Sequence, residues 1–243
     1  MREFAGKRYW LVGASEGLGA ALAHLMSKAG AELVLSARSE DRLQALANEL
    51  PGKAEVVCVD VADTENVKAA SAAIGDVDGV VFLAGVYWPM SAKKWQADDA
   101  ETMVDINFTG ALRLMGQVVP RMVSRDRGHI VLTGSLSAFR GLPGAIGYSA
   151  SKAGVMALAE SMRCDLRRTG VDVQVVNPGF IKTRLTDKND FKMPFIMEPE
   201  AAAQVMFDHM KTARFKRSFP TLFSLLFRTT QLMPDWLYFR IFG

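Results

Sequence analysis

Tyr9-Trp10-Leu11-Val12-Gly13-Ala14-Ser15-Glu16-Gly17-Leu18-Gly19 sets four apolar residues before three glycines, and the amphipathic run Leu18 to Lys28 follows at once. A short apolar run stopped by glycine reads as a buried strand, and the longer periodic run after it as a helix. The glycines have a steric task at that junction. One permits positive φ in a tight turn, and another lets the backbone approach a ligand closely. The helix N-terminus beyond them offers unpaired N–H groups to an anion, so strand, turn and helix together form a seat for a pyrophosphate.

The same alternation continues along the chain. Glu32 to Ala37, Ala54 to Val59, Gly79 to Leu83, His129 to Thr133 and Val171 to Val176 join Tyr9 to Val12 as short runs rich in Val, Ile and Leu. Near-continuous apolar strands of this kind are buried on both faces. Between them lie Ser39 to Leu50, Thr64 to Ile74, Asp98 to Ser124 and Ser149 to Arg168, each long enough for a crossover helix. Six strands in parallel order with right-handed crossovers predict an α/β fold: a Rossmann-like, doubly wound sheet with helices on both faces, in three αβα layers. Its ligands belong at the carboxyl ends of the strands. No repeat or Pro/Gly-rich linker divides the chain, so residues 1–218 are expected as one domain and 219–243 as an apolar tail.

Composition excludes several classes of function. The 243 residues are 49% apolar and 23% charged, which suits one large core rather than disorder. A net charge of +3, from 29 basic and 26 acidic residues, does not suit a nucleic-acid binder. Cys58 and Cys164 lie in apolar surroundings without metal-type spacing and read as buried reduced thiols of a cytoplasmic protein. His24, His129 and His209 are scattered, so no metal site is expected. Met1 to Gly6 lacks a secretory apolar stretch, and no run reaches membrane-spanning length.

Tyr148-Ser149-Ala150-Ser151-Lys152 places a phenol and an ammonium one helical turn apart. A fixed positive charge favours the phenolate and is expected to pull the tyrosine below its usual value near ~10. With the G-x-x-x-G-x-G turn, this pair resembles the short-chain dehydrogenase/reductase family from about Arg8 to Thr183. The resemblance implies further roles. Ser135, thirteen residues before Tyr148, falls where the family hydrogen-bonds the substrate oxygen. Asn107, in Asp105-Ile106-Asn107-Phe108-Thr109-Gly110, falls where a helix asparagine holds a water for proton relay. Asn177-Pro178-Gly179-Phe180-Ile181-Lys182-Thr183 looks like the segment that holds the nicotinamide carboxamide, and Asp60 like the residue near the adenine. Two positions depart from the pattern: Leu83-Ala84-Gly85 replaces the usual Asn-Ala-Gly, and Val12 stands where threonine is common.

The resemblance thus implies hydride transfer between a nicotinamide and a carbonyl carbon, with Asn107, Ser135, Tyr148 and Lys152 as the catalytic set. Cofactor contacts are implied for Gly13, Ser15, Glu16, Gly17, Leu18, Gly19, Arg38, Asp60, Val61, Ala84, Gly85, Tyr148, Lys152, Pro178, Gly179, Ile181 and Thr183. At the end of the second strand, Ser36-Ala37-Arg38-Ser39 lacks the carboxylate that would accept from the ribose of NAD, and a guanidinium there suits a 2′-phosphate. NADP(H) is therefore favoured over NAD(H), although Glu16 in the turn argues the other way.

Three apolar segments overhang the expected reaction centre: Tyr87, Trp88 and Pro89; Leu136, Phe139, Leu142 and Pro143; and Phe180, Ile181, Phe191, Met193, Pro194, Phe195 and Ile196. They suit a hydrophobic ketone or secondary alcohol. The tail, with Lys211, Arg214, Lys216 and Arg217 before its aromatic residues, is expected to pack on the domain, on a partner subunit or on a membrane surface. A homodimer or homotetramer through the two long helices is implied by the resemblance alone. A nucleotide-binding regulator without turnover is the alternative function. A sugar-nucleotide epimerase of related fold is disfavoured because such proteins carry a longer C-terminal substrate region.

Overall fold

The structure, a computed structural model, describes residues 1–242. Seven strands, β1 (Arg8–Val12), β2 (Glu32–Ser36), β3 (Ala54–Val56), β4 (Gly79–Phe82), β5 (Gly128–Thr133), β6 (Val171–Pro178) and β7 (Lys216–Phe219), form one sheet. Their order is β3-β2-β1-β4-β5-β6-β7, and every pairing is parallel. The order reverses direction at β1, which runs between β2 and β4. The carboxyl ends of β1 and β4 therefore open a crevice where their crossovers leave in opposite directions.

Side-chain alternation along the strands explains the three layers. Leu11, Leu33, Leu35, Val81 and Val131 point to one face, where Leu22, Ala23 and Met26 of α1 (Gly17–Lys28), Leu43 and Leu46 of α2 (Glu40–Glu49), and Met206 of α7 (Pro199–Met210) cover them. Trp10, Val12, Val34, Val80, Phe82 and Ile130 point to the other. There they meet Val67 and Ile74 of α3 (Thr64–Ile74), Leu114 and Met122 of α5 (Gly110–Ser124), and Val155 and Ala159 of α6 (Ile146–Asp165). Successive residues serving opposite cores is what a parallel sheet buried on both faces requires.

The structure departs from the sequence reading in three places. The seventh strand, β7, was not expected: Lys-Arg-Ser-Phe carries little apolar signal, and it holds its place as an edge strand beside β6. It ends at Phe219, one residue past the expected boundary at 218. The single helix expected over Asp98 to Ser124 consists of α4 (Ala97–Val104), a π-turn over Asp105–Thr109 and α5. Cys58 and Cys164 are exposed rather than buried, Cys58 beyond the shortened β3 and Cys164 on the outer side of α6. The tail forms α8 (Thr221–Thr230) and α9 (Asp235–Phe242), and among the described residues no helix is long and apolar enough to cross a membrane.

Candidate active site

The glycine turn takes the form that its sequence predicts. Gly13 and Gly17 have φ of +96° and +55°, in the region that favours glycine. A Cβ on Gly13 would lie 2.4 Å from the backbone nitrogen of Ala84, and one on Gly19 would lie 2.2 Å from the carbonyl oxygen of Gly13. The turn packs directly on the strand-end loop after β4 and on itself. Glu16, at the N-cap of α1, makes no side-chain hydrogen bond to the first turn, and no acidic residue follows within it. Those N–H groups remain available to an anion, so the residues present fit the pyrophosphate of a dinucleotide.

From this turn a cavity of about 770 Å³ runs across the ends of β1, β4, β5 and β6 to Tyr148. It brings together Gly13, Ser15, Glu16, Gly17, Leu18, Gly19, Arg38, Asp60, Val61, Ala84, Gly85, Ser135, Tyr148, Lys152, Pro178, Gly179, Ile181 and Thr183. Asn107 is the exception: it lies fully buried behind the wall. Its amide oxygen accepts from the Val86 N–H at 2.7 Å, while its amide nitrogen donates to the Val86 carbonyl and to Ser151 Oγ, both at 3.0 Å. The π-turn places it there, and the side chain braces the loop after β4 against α6.

The reactive end holds four polar groups at close quarters. Lys152, buried at 3% exposure, donates from Nζ to the Thr133 carbonyl at 2.9 Å. Desolvation pushes its ammonium down to about 8. Tyr148 packs edge-on against Tyr87 at 5.1 Å between ring centroids. Its phenol is pushed up to about 12, first by desolvation, while a hydrogen bond with Ser135 pulls the other way. The direction is opposite to the one expected from the Lys152 charge: burial is the main cause, and Nζ sits 5.7 Å from the ring centroid and donates to Thr133 instead. Ser135 Oγ also accepts from the Ser137 N–H at 3.2 Å and from Ser137 Oγ at 3.0 Å. With two bonds accepted from Ser137, the Ser135 proton is left to face the phenol and the cavity.

Both family departures are filled by packing. Val12 is buried in the second core, and Leu83 packs against the first. At the other end of the cavity, Glu16 pairs with Arg42 Nη1 at 2.7 Å and with Arg184 Nη1 at 2.9 Å. Neither arginine was expected at the site. Arg42 lies in the first turn of α2, just beyond Arg38 at the end of β2, and this nearness in the chain could have pointed to it.

Of the apolar residues expected over the reaction centre, Tyr87, Trp88, Pro89, Leu136, Leu142, Pro143, Phe180, Ile181 and Phe191 line the cavity. Phe139 instead packs in the small core under the Ser135 loop. Met193, Pro194, Phe195 and Ile196 lie outside the lining, with Phe195 60% exposed. Phe223 and Phe227 of α8 complete the wall. Lys188 holds the overhanging loop across the opening, donating to the Tyr87 carbonyl at 2.9 Å and sitting 4.1 Å over the Trp88 ring.

Comparison with known proteins places this geometry. The family model described as short chain dehydrogenase matches residues 7–193. A protein of Myxococcus xanthus named as an uncharacterized oxidoreductase is 38% identical over 98% of this chain and 97% of its own. A 3-oxoacyl-acyl-carrier-protein reductase of Rickettsia typhi is 31% identical over 77% of this chain and 78% of its own. Among solved structures, a short-chain dehydrogenase from Sphingobium yanoikuyae in complex with NADPH superposes with a TM-score of 0.83 at 26% identity, covering 94% of this chain and 96% of that one.

Proposed function

Because the chain belongs to the short-chain dehydrogenase family and is an NAD(P)-dependent oxidoreductase, we propose that it reduces a hydrophobic ketone with NADP(H). The observation that carries the reading is the meeting of the Tyr148 phenol, the Ser135 hydroxyl and the Lys152 ammonium on one cavity wall that also contains the uncapped glycine turn. When bound, the dinucleotide supplies the hydride. The chain's own residues handle the oxygen. Ser135 directs its proton at the carbonyl oxygen, and the phenol delivers a proton to that oxygen as charge develops there. A phenol held near 12 is protonated at neutral pH, which suits reduction. Lys152 supplies a buried positive charge beside the developing alkoxide. Asn107 acts by holding Val86 and α6 in register rather than by touching the reacting atoms.

NADP(H) is preferred on the argument that Arg38 and Arg42 both line the cavity beyond β2 and that Ser36-Ala37-Arg38-Ser39 at the end of β2 contains no carboxylate. Glu16 is compatible with this reading, since Arg42 and Arg184 offset its charge, although it competes with a phosphate for Arg42. The aliphatic and aromatic walls argue for a substrate with alkyl or ring bulk, and the Rickettsia relative's name indicates a β-ketoacyl chain as one such class. Self-association through α5 and α6 is supported by exposed Leu112 and Val123 on α5.

The test combines purified protein, NADPH and a panel of aliphatic, aromatic and β-ketoacyl ketones. Turnover that falls a hundred- to ten-thousand-fold on the order of a lost general acid is expected for Tyr148→Phe, with NADPH binding retained. Tight NADPH binding without turnover of any ketone would instead make the chain a nucleotide-binding regulator.

A further inference from the structure

We propose that α8, α9 and the tip of the loop over the cavity form a docking surface for an anionic lipid membrane. Both helices are apolar on the side away from the domain as well as on the side facing it. On α8, Phe223 is buried and Phe227 lines the cavity, yet Leu222, Leu225 and Leu226 are 76%, 45% and 52% exposed. On α9, Tyr238 is buried while Trp236, Phe239 and Ile241 are 69%, 65% and 57% exposed. A helix that is apolar all round normally has something against every face.

The outward placement is built in. Arg140, in the loop after Ser135, donates to the Thr230 and Met233 carbonyls at 2.5 and 2.7 Å and pairs with Asp235 at 2.5 Å. Its guanidinium also lies 4.0 Å over the Tyr238 ring, and the Tyr238 hydroxyl donates to the Gly141 carbonyl. With the inner faces tied down in this way, the leucines and Trp236 cannot turn inward. The patch extends onto the cavity loop, where exposed Phe195 packs on Phe223 with 5.3 Å between centroids.

Charge selects the occupant. Residues 211–243 contain six basic residues and one acidic residue, Asp235, which Arg140 engages. Lys211 and Lys216 pair with Asp208 and Glu160, while Arg214, Arg217, Arg228 and Arg240 have no ion pair among the described residues. Arg228 and Arg240 are exposed on the two apolar helices themselves. Basic side chains among exposed aromatic and aliphatic ones match an anionic headgroup layer over acyl chains. A second copy fits less well, because a two-fold interface would set this basic patch against itself. At ten and eight residues the helices lie in the interface and do not cross it. The cavity wall and the docking face then share one helix.

The experiment uses the full chain and needs no turnover. Flotation with phosphatidylcholine vesicles is compared with vesicles containing phosphatidylserine, at low and high salt, while Trp236 emission is followed against a Trp236→Phe control. Expected results are co-flotation with the anionic vesicles, release by salt and a blue shift lost in the control. Removing two charges with Arg228→Ala/Arg240→Ala should lower partitioning about thirtyfold, with an unchanged melting temperature. Leu222→Ser/Leu226→Ser, outside the cavity wall, should abolish it. Wild-type protein left soluble beside anionic vesicles would overturn the proposal. So would Leu222→Ser/Leu226→Ser converting a dimer to a monomer, which would show that a second copy covers the face.

Discussion

The Lys152 ammonium donates to the carbonyl oxygen of Thr133 at 2.9 Å, so the one buried cation at the reactive end is tethered to the end of β5. Burial depresses it from 10.5 to about 8. A depressed group contributes stability above its unfolded value and loses it as pH falls toward the folded one. At pH 7, Lys152 is therefore a net cost to folding, of about 3 kcal/mol at most. Lys152→Met should raise the melting temperature by a few degrees at pH 7 and abolish turnover. Between pH 8 and 10, wild type should gain stability relative to the variant. Thermal unfolding across that range, read beside activity, checks both.

Ser137 should behave as a positioning residue for Ser135. Ser137→Ala removes the hydroxyl donor at 3.0 Å and leaves the N–H bond at 3.2 Å. One neutral hydrogen bond of about 1 kcal/mol corresponds to a several-fold fall in kcat. KM should change little, and Ser135→Ala should cost far more. Equal losses in kcat/KM carried entirely by KM would contradict this role.

Glu16 should tune cofactor choice through its hold on Arg42. The pair is half-exposed, so it stabilises the fold weakly and can exchange partners easily. Arg42→Ala is expected to weaken NADPH at least about tenfold, the worth of one charge-assisted bond, and leave NADH nearly unchanged. Glu16→Gln should tighten NADPH, since the guanidinium no longer leaves a carboxylate to meet a phosphate. Fluorescence titration with both nucleotides measures the two ratios.

His129 should make the protein acid-sensitive. It is buried at 2% exposure, bonded through Nδ1 to the Tyr9 hydroxyl at 2.9 Å and through Nε2 to Gln174 at 2.8 Å. Burial holds it down to about 3, and the Arg2 guanidinium beside it acts in the same direction. Its contribution is complete above the unfolded value of 6.5 and is lost as pH falls toward 3. Melting temperature should decline below pH 6.5 in wild type and with a shallower slope in His129→Gln.

Much of the site was legible because its parts sit at strand ends. Each of those ends is announced by a local change from apolar run to glycine, serine or proline. Ser135, Tyr148, Lys152, Arg38 and the glycine turn could be ordered along the chain and assigned to one edge of a parallel sheet. Asn107 was found by its motif, yet its place behind the wall depends on a π-turn that no residue pattern marks. The strand at Lys216–Phe219 escaped because four residues with two charges have no period to read.

Residue order alone determined the doubly wound architecture, the glycine seat and the Tyr148/Lys152 pair, since strand periodicity, turn sterics and helical spacing are local properties of the backbone. Tertiary structure decided the rest: the direction of the Tyr148 shift, the capture of Glu16 by Arg42 and Arg184, the tethering of the tail by Arg140, and the thiols left at the surface. These depend on desolvation and on contacts between segments up to 168 positions apart in the chain. Neither burial nor distance is set until the sheet has brought its strand ends together.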